Sequence, residues 1–171
     1  MCKIKGEISD YTKGLIIGNQ GRAVLISDLV SSCEKFGLDV DAITDACFFA
    51  AGVEASKDAE GDNPMDFIRF MTSLNVELFD KEIVKLSPEH SVARFHYCPL
   101  YAKWKDMGLP EETIDNLCNL ANKSDFGRAS NFKNVVLTFP KRLGKGDPYC
   151  ELDARLKCPA DEIKSNEREE K

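Results

Sequence analysis

The stretch Ser91-Val92-Ala93-Arg94-Phe95-His96-Tyr97-Cys98-Pro99-Leu100-Tyr101, with Trp104 behind it, decides the fold, because within it a strand-like run turns directly into a helix. Val92, Arg94, His96 and Cys98 alternate with Ala93, Phe95 and Tyr97, and this period of two places Arg94, His96 and Cys98 together on one polar, reactive strand face. Pro99 has its φ preset near the helical value and needs no backbone donor, so it suits the first helical position and makes Cys98 the N-cap. A cysteine there faces unsatisfied N–H groups and the positive end of the helix dipole, which favour thiolate over thiol. The other reading of Cys98 is a small buried residue at an element boundary, since free cysteine often behaves as a small hydrophobe.

On the N-terminal side of this junction, Glu82 to Leu86 reads as a strand and Ser87-Pro88-Glu89 as a turn, which makes a hairpin with Ser91 to Tyr97. On the C-terminal side, Pro99 to Met107 forms a short helix closed by Gly108. Leu109-Pro110-Glu111-Glu112 starts another helix, reaching about residue 123, with Ile114, Leu117, Cys118 and Ala121 on one face. Asn122 to Asn131 is polar and reads as a loop or pocket segment carrying Asp125, Gly127, Arg128 and Ser130. Val135 to Phe139 and Tyr149 to Leu156 pair as a second hairpin across the loop Lys141 to Pro148. On the returning strand Cys150, Leu152, Ala154 and Leu156 share the apolar face, and Glu151, Asp153 and Arg155 the polar one.

Residues 1 to 21, with Gly14, Gly18 and Gly21, read as a flexible arm or short packed segment; neither a GxGxxG spacing nor a Walker lysine is present. A helix follows from Arg22 to near Gly37, with Cys33 in its apolar stripe, and a second runs from about Asp41 to Ser56, whose small side chains permit close packing. After the loop Lys57 to Asp62, Asn63-Pro64 starts a third helix carrying Phe67, Ile68, Phe70, Met71, Leu74, Leu78 and Phe79, apolar enough for the centre of the fold or a subunit interface. The expected fold is α+β: N-terminal helices packed with an antiparallel sheet built from two β-hairpins, in one domain over residues 1–158 with a polar, disordered tail at 159–171. Strand order is beyond the sequence.

The 171 residues suffice for one sizeable core. A net charge of -6 argues against nucleic acid as a main partner, because phosphate binding calls for a basic surface. No apolar run approaches the roughly 20 residues that span a bilayer, and the opening Met1 to Gly6 lacks a signal-peptide core, so the expectation is a cytoplasmic protein without a membrane partner. The cysteines, Cys2, Cys33, Cys47, Cys98, Cys118, Cys150 and Cys158, include no closely spaced pair and are expected to be free thiols in a reducing compartment. Oligomeric state stays open, with a homodimer compatible with the pattern.

Arg94, His96 and Cys98 offer a cation, an imidazole and a nucleophile. Side chains two apart on a strand are roughly 7 Å apart at the backbone, too far for a direct imidazole–thiolate bond, so they fit better around a shared ligand or with a base from elsewhere: Asp125, Glu151 or His90. The competing chemistry is metal ligation, since His96, Cys98, Cys118, Asp125 and Cys150 are ligand types that suit zinc or iron, although no CxxC or HExxH pair supports it.

Tyr97-Cys98-Pro99-Leu100-Tyr101, followed by Trp104, Gly108, Leu117-Cys118, Asp125, Asn131, Gly146-Asp147 and Cys150, resembles the L-2-amino-thiazoline-4-carboxylic acid hydrolase family, while the N-terminal helical half is similar only in general character. The resemblance implies hydrolytic opening of a cyclic isothiourea to an N-carbamoyl amino acid; separately from it, no cofactor is expected, with zinc or iron as the alternative. On that reading Cys98 attacks the amidine-like carbon, His96 or Asp125 handles protons, and Arg94 or Arg128 receives the carboxylate of a small substrate. Tyr101, Trp104 and Asn131 line or orient it, and Cys118 and Cys150 support the site or bind metal. Two other classes stay open: a ligand- or metal-binding sensor without turnover, and an adaptor that oligomerises through the third helix.

Overall fold

The computed structural model describes residues 7–74 and 76–158. The expected tail at 159–171 therefore lies outside the described residues. Six helices, α1 (Asp10–Lys35), α2 (Val40–Thr44), α3 (Ala50–Ala55), α4 (Pro64–Ser73), α5 (Pro99–Asp106) and α6 (Glu111–Ser130), accompany four strands, β1 (Lys81–Lys85), β2 (His90–Phe95), β3 (Val135–Thr138) and β4 (Cys150–Leu156). All neighbours in the sheet are antiparallel, in the order β1-β2-β4-β3. The two expected hairpins, β1-β2 and β3-β4, are joined through β2 and β4, making the α+β fold read from the sequence.

Two corrections matter for the site. α1 begins at Asp10, inside the segment read as a flexible arm. Ser9 caps it, its Oγ accepting from the Thr12 N–H at 3.1 Å, and the Ser9 and Thr12 hydroxyls both donate to Glu77. The glycines that suggested irregular chain lie in this helix with open space around them at Gly14, Gly18 and Gly21. α6 likewise continues to Ser130, so Asp125, Arg128 and the residues between them are helical and not a loop.

The described residues form two apolar cores. One sits between α4, the end of α6 and the inner sheet face, and contains Phe67, Ile68, Phe132, Ala93, Leu152 and Ala154. The apolar side of the third predicted helix is thus turned into the fold, with Phe67 and Ile68 fully buried. The other lies between α1, α5 and α6 and is built on Ala23, Ile26, Val30, Trp104, Ile114 and Leu117. Trp104 is completely buried, and its indole N–H donates to the Ala23 carbonyl at 2.9 Å, tying α5 to α1.

α6 belongs to both cores, and its course is set by backbone contact with the helical run from α2 to α3, which passes through a π-helical turn at Asp45–Phe49. A Cβ at Gly52 would stand 2.0 Å from the Ser124 carbonyl oxygen, and one at Gly127 would stand 2.1 Å from that of Phe49. Ser56 and Asn131 complete the seam: the Ser56 Oγ donates to the Arg128 carbonyl at 3.2 Å, and the Asn131 amide donates to the Val53 carbonyl at 2.8 Å.

Because those neighbours are backbone atoms that cannot rotate away, Gly52→Ala and Gly127→Ala are each expected to lower stability by about 1–3 kcal/mol or more in urea unfolding. Gly18→Ala, on the open side of α1, should instead raise it by about 0.4–1 kcal/mol.

Candidate functional site

The two cores do not meet flush. Between them lies a cavity of about 150 Å³ whose wall takes Met71, Phe95 and Leu152 from the sheet core and Leu100, Trp104 and Cys118 from the helical core. Most of its lining is apolar. Its polar groups are Asn19 and Arg22 on α1, Lys81 at the start of β1, Cys98 and Tyr101 at the β2–α5 junction, and Asn122, Ser124, Asp125 and Arg128 on α6, with Cys150 at the start of β4.

Cys98 is the N-cap of α5, in extended conformation (φ -137°, ψ 119°), with Pro99 in the first turn and the Ala102 N–H donating to the Cys98 carbonyl at 2.9 Å. Its expected position is confirmed, but its expected company is not. β2 ends at Phe95, and the next two N–H groups leave the sheet ladder: His96 donates to the Asp80 carbonyl at 3.0 Å and Tyr97 to that of Phe79 at 3.1 Å. Period-two alternation stops there, so Cys98 turns into the cavity while Arg94 and His96 stay on the outer sheet face.

On that outer face Arg94 donates to Glu151 at 2.9 Å, its guanidinium stacks 4.6 Å from the Tyr149 ring centroid, and His96 sits 2.9 Å from Glu82 and edge-on to Tyr149. Neither lines the cavity. Glu151 is held there by Arg94, and His90 is bonded to Asp153 at 3.1 Å on the same side, so neither alternative base reaches Cys98. Asn131 also drops out, because its amide is bonded to Val53 and Ser56 in the seam between α3 and α6. Of the residues singled out from the sequence, the fold gathers Cys98, Tyr101, Trp104, Cys118, Asp125, Arg128 and Cys150. The buried Trp104 presents only its ring, its N–H being bonded to α1.

The three cavity thiols differ in surroundings. Burial raises the pKa of Cys118 above its ordinary value and pushes that of Cys150 up to about 12, with the proximity of Cys98 adding to both. Both are therefore protonated thiols at neutral pH and serve as apolar wall, with the Cys150 Sγ accepting from the Leu143 N–H at 3.4 Å. Cys98 alone stands at a helix N-terminus, where N–H groups stabilise negative charge. Among the described residues no group of three or more His, Cys, Asp or Glu side chains is placed to hold a metal ion.

On α6, two turns beyond Cys118, Asp125 is bonded to Arg128 at 3.1 Å, and the same Arg128 nitrogen donates to the Ser124 hydroxyl at 3.2 Å. Burial raises the Asp125 pKa from its ordinary value, against the opposing pull of Arg128, Lys81 and Arg22. Lys81 was not anticipated. It follows Asp80, whose left-handed backbone (φ 48°) turns the chain into β1. Its ammonium donates to the Met71 carbonyl at 2.6 Å and to the Leu74 carbonyl at the end of α4, between the rings of Phe79 and Phe95. Burial lowers its pKa to about 8, with Asp125 opposing the shift. Nothing local marks such a lysine, because a charged residue at a strand start is ordinary; only the fold turns it inward. Arg22 and Asn19 were missed for the same reason.

Among the described residues no helix is long and apolar enough to cross a membrane. Comparison with solved structures finds a trafficking protein particle complex subunit 3 from Naegleria fowleri, covalently bound to palmitic acid, at a TM-score of 0.53 and 18% identity, covering 83% of this chain and 96% of that one. A second likeness is the phenol-responsive sensory domain of the transcription activator PoxR with phenol, at a TM-score of 0.46 and 9% identity over 86% of this chain and 79% of that one. The first is a likeness of fold. No curated protein matches. The family model of L-2-amino-thiazoline-4-carboxylic acid hydrolase matches residues 34–153, well over half of the chain and all of the cavity-lining elements except α1. The chain, with Cys98, Asp125 and Arg128 around one apolar cavity, belongs to that hydrolase-like family.

Proposed function

We propose that the chain hydrolyses a small cyclic amidine or isothiourea bearing a carboxylate, of the type of L-2-amino-thiazoline-4-carboxylate, with Cys98 as nucleophile. The observation that carries this reading is the convergence of a cysteine at the N-cap position of α5, a carboxyl group of raised pKa and a cation on one cavity. The size agrees: an engineered apolar cavity of about 150 Å³ in another protein takes up benzene, so a five-membered ring is of the right order. Family membership supports the substrate class.

In this scheme the Cys98 thiolate adds to the ring carbon between sulfur and nitrogen, and the bond from that carbon to the ring sulfur breaks. The ring sulfur leaves as a thiol, protonated by Asp125. Water then attacks the same carbon with Asp125 as base, the Cys98 thiolate departs, and the carbon keeps the water oxygen as an N-carbamoyl group. Burial suits Asp125 to both steps, since a carboxyl group with a raised pKa donates and accepts protons nearer neutrality than an exposed one. Arg128 holds Asp125 through one nitrogen and adds to the positive charge of the cavity that favours a substrate carboxylate. Tyr101 and Trp104 supply ring-shaped wall.

A second reading follows from the predominantly apolar lining: the same cavity serves as a binding module for a small apolar ligand, without turnover. That a neighbour in fold is covalently bound to palmitic acid supports a ligand-holding role for this chain.

With L-2-amino-thiazoline-4-carboxylate as substrate and release of a free thiol as readout, Cys98→Ala should lower kcat by about a thousandfold or more. Full activity of Cys98→Ala would remove it as nucleophile, and absence of turnover by the wild type would favour the binding module. Asp125→Asn should cost about 10²–10⁴ in kcat. As the acid of the first step, Asp125 must enter the cycle protonated, so wild-type activity should fall as pH rises through a midpoint above the ordinary 3.8 of a carboxyl group, and this fall should vanish in Asp125→Asn.

A further inference from the structure

The cavity is apolar in most of its lining but not neutral. Its charged lining groups are Arg22, Lys81 and Arg128 against the single carboxylate of Asp125. Asp125 already has a partner, bonded to Arg128 at 3.1 Å, so the uncompensated charge is positive. Lys81 is the cation most deliberately built in. Its ammonium has three N–H groups, and two are taken by the Met71 and Leu74 carbonyls. The rings of Phe79 and Phe95, with centroids 5.3 and 4.9 Å from Nζ, cover it on apolar sides. Among the described residues no carboxylate accepts from it, so the third N–H is left for an acceptor in the cavity.

The position of Lys81 follows from strand register. Lys81 pairs with Phe95 across β1 and β2, and the Tyr97 N–H bonds the Phe79 carbonyl, so the lysine is clamped beside the segment that leads into Cys98. A ligand carboxylate entering an apolar cavity needs a paired, hydrogen-bonded counter-charge, since an unpaired buried charge is strongly disfavoured. We propose that Lys81 receives the ligand's carboxylate and so sets the preference of the cavity for small anionic molecules presented to Cys98. This rests on the reading that the Cys98 cavity is the ligand site, whether or not the ligand is then hydrolysed.

The test uses Cys98 as reporter. The reduced full-length protein is treated with 2-carboxyethyl methanethiosulfonate, an anion, or with neutral methyl methanethiosulfonate, and modification of the Cys98 peptide is timed by mass spectrometry, each rate divided by that of 2-mercaptoethanol. The anionic reagent is expected to be favoured at Cys98 by about tenfold, the order of one partly screened contact charge, and Lys81→Met should bring the ratio of anionic to neutral rate to about one. Lys81→Gln, which retains a donor for the two carbonyls, must lose the preference equally, with the buried Cys33 unmodified as the sign of an intact fold. Equal normalised rates in the wild type, a preference that survives in both variants, or failure of Cys98 to react while the exposed Cys47 does would each overturn the proposal. The two readings separate cleanly. A Lys81-dependent preference without turnover keeps this inference and removes the hydrolase, and turnover without such a preference does the reverse.

Discussion

Backbone contact between α6 and the helical run before it is the constraint on which the rest of this molecule depends. At Gly52 and Gly127 there is no space for even a methyl group, so α6 is seated by the main chain of its neighbour rather than by interdigitating side chains. That seating is stiff. It carries Cys118, Asp125 and Arg128 to one wall of the cavity, and Ser56 and Asn131 hold its far end in the seam. A small shift of α6 would change the relation of Asp125 to Cys98, which α5 presents from the other side.

The cavity exists because two separately satisfied cores share α6. The sheet core is closed by α4 and Phe132, and the helical core by Trp104 with its bond to Ala23. Neither has side chains left to fill the space between them. The groups that border that space are therefore half in one apolar environment and half in the other. This is why the two inward thiols have raised pKa values, Lys81 a lowered one and Asp125 a raised one. Burial acts on all four in the same sense, against the charged form.

The sheet separates two kinds of polar chemistry. On its outer face Arg94, Glu82, Glu151 and His96 satisfy one another around Tyr149 in partial contact with water, and His90, Asp153 and Arg155 form a second such group. Such pairs mainly fix register. On the inner side, four charged groups face a cavity whose lining is mostly apolar, where each charge has a larger effect on a ligand.

Local sequence determined what local physics controls. The strands β2 and β4, the Asn63-Pro64 and Cys98-Pro99 helix starts and the hairpin pairs follow from side-chain period, from proline and from capping, and all stand in the structure, while the alternation itself is broken where Val92 and Asp153 are buried on the polar face and Leu156 is exposed at the strand end. The family motifs were equally legible, and the helix start at Pro99 set Cys98 apart from the other cysteines. Only the tertiary structure decided which of these residues meet. Arg94 and His96, four and two residues from Cys98, face away from it because sheet pairing ends at Phe95 and the alternation ends with it. Asp125, Arg128, Lys81 and Arg22, distant in sequence, reach the cavity because α6, β1 and α1 pack around it. The helical state of residues 10–21 and 122–130 was hidden for a related reason: glycines and polar side chains weaken the local signal, and contacts with Glu77, α3 and α5 supply what propensity lacks.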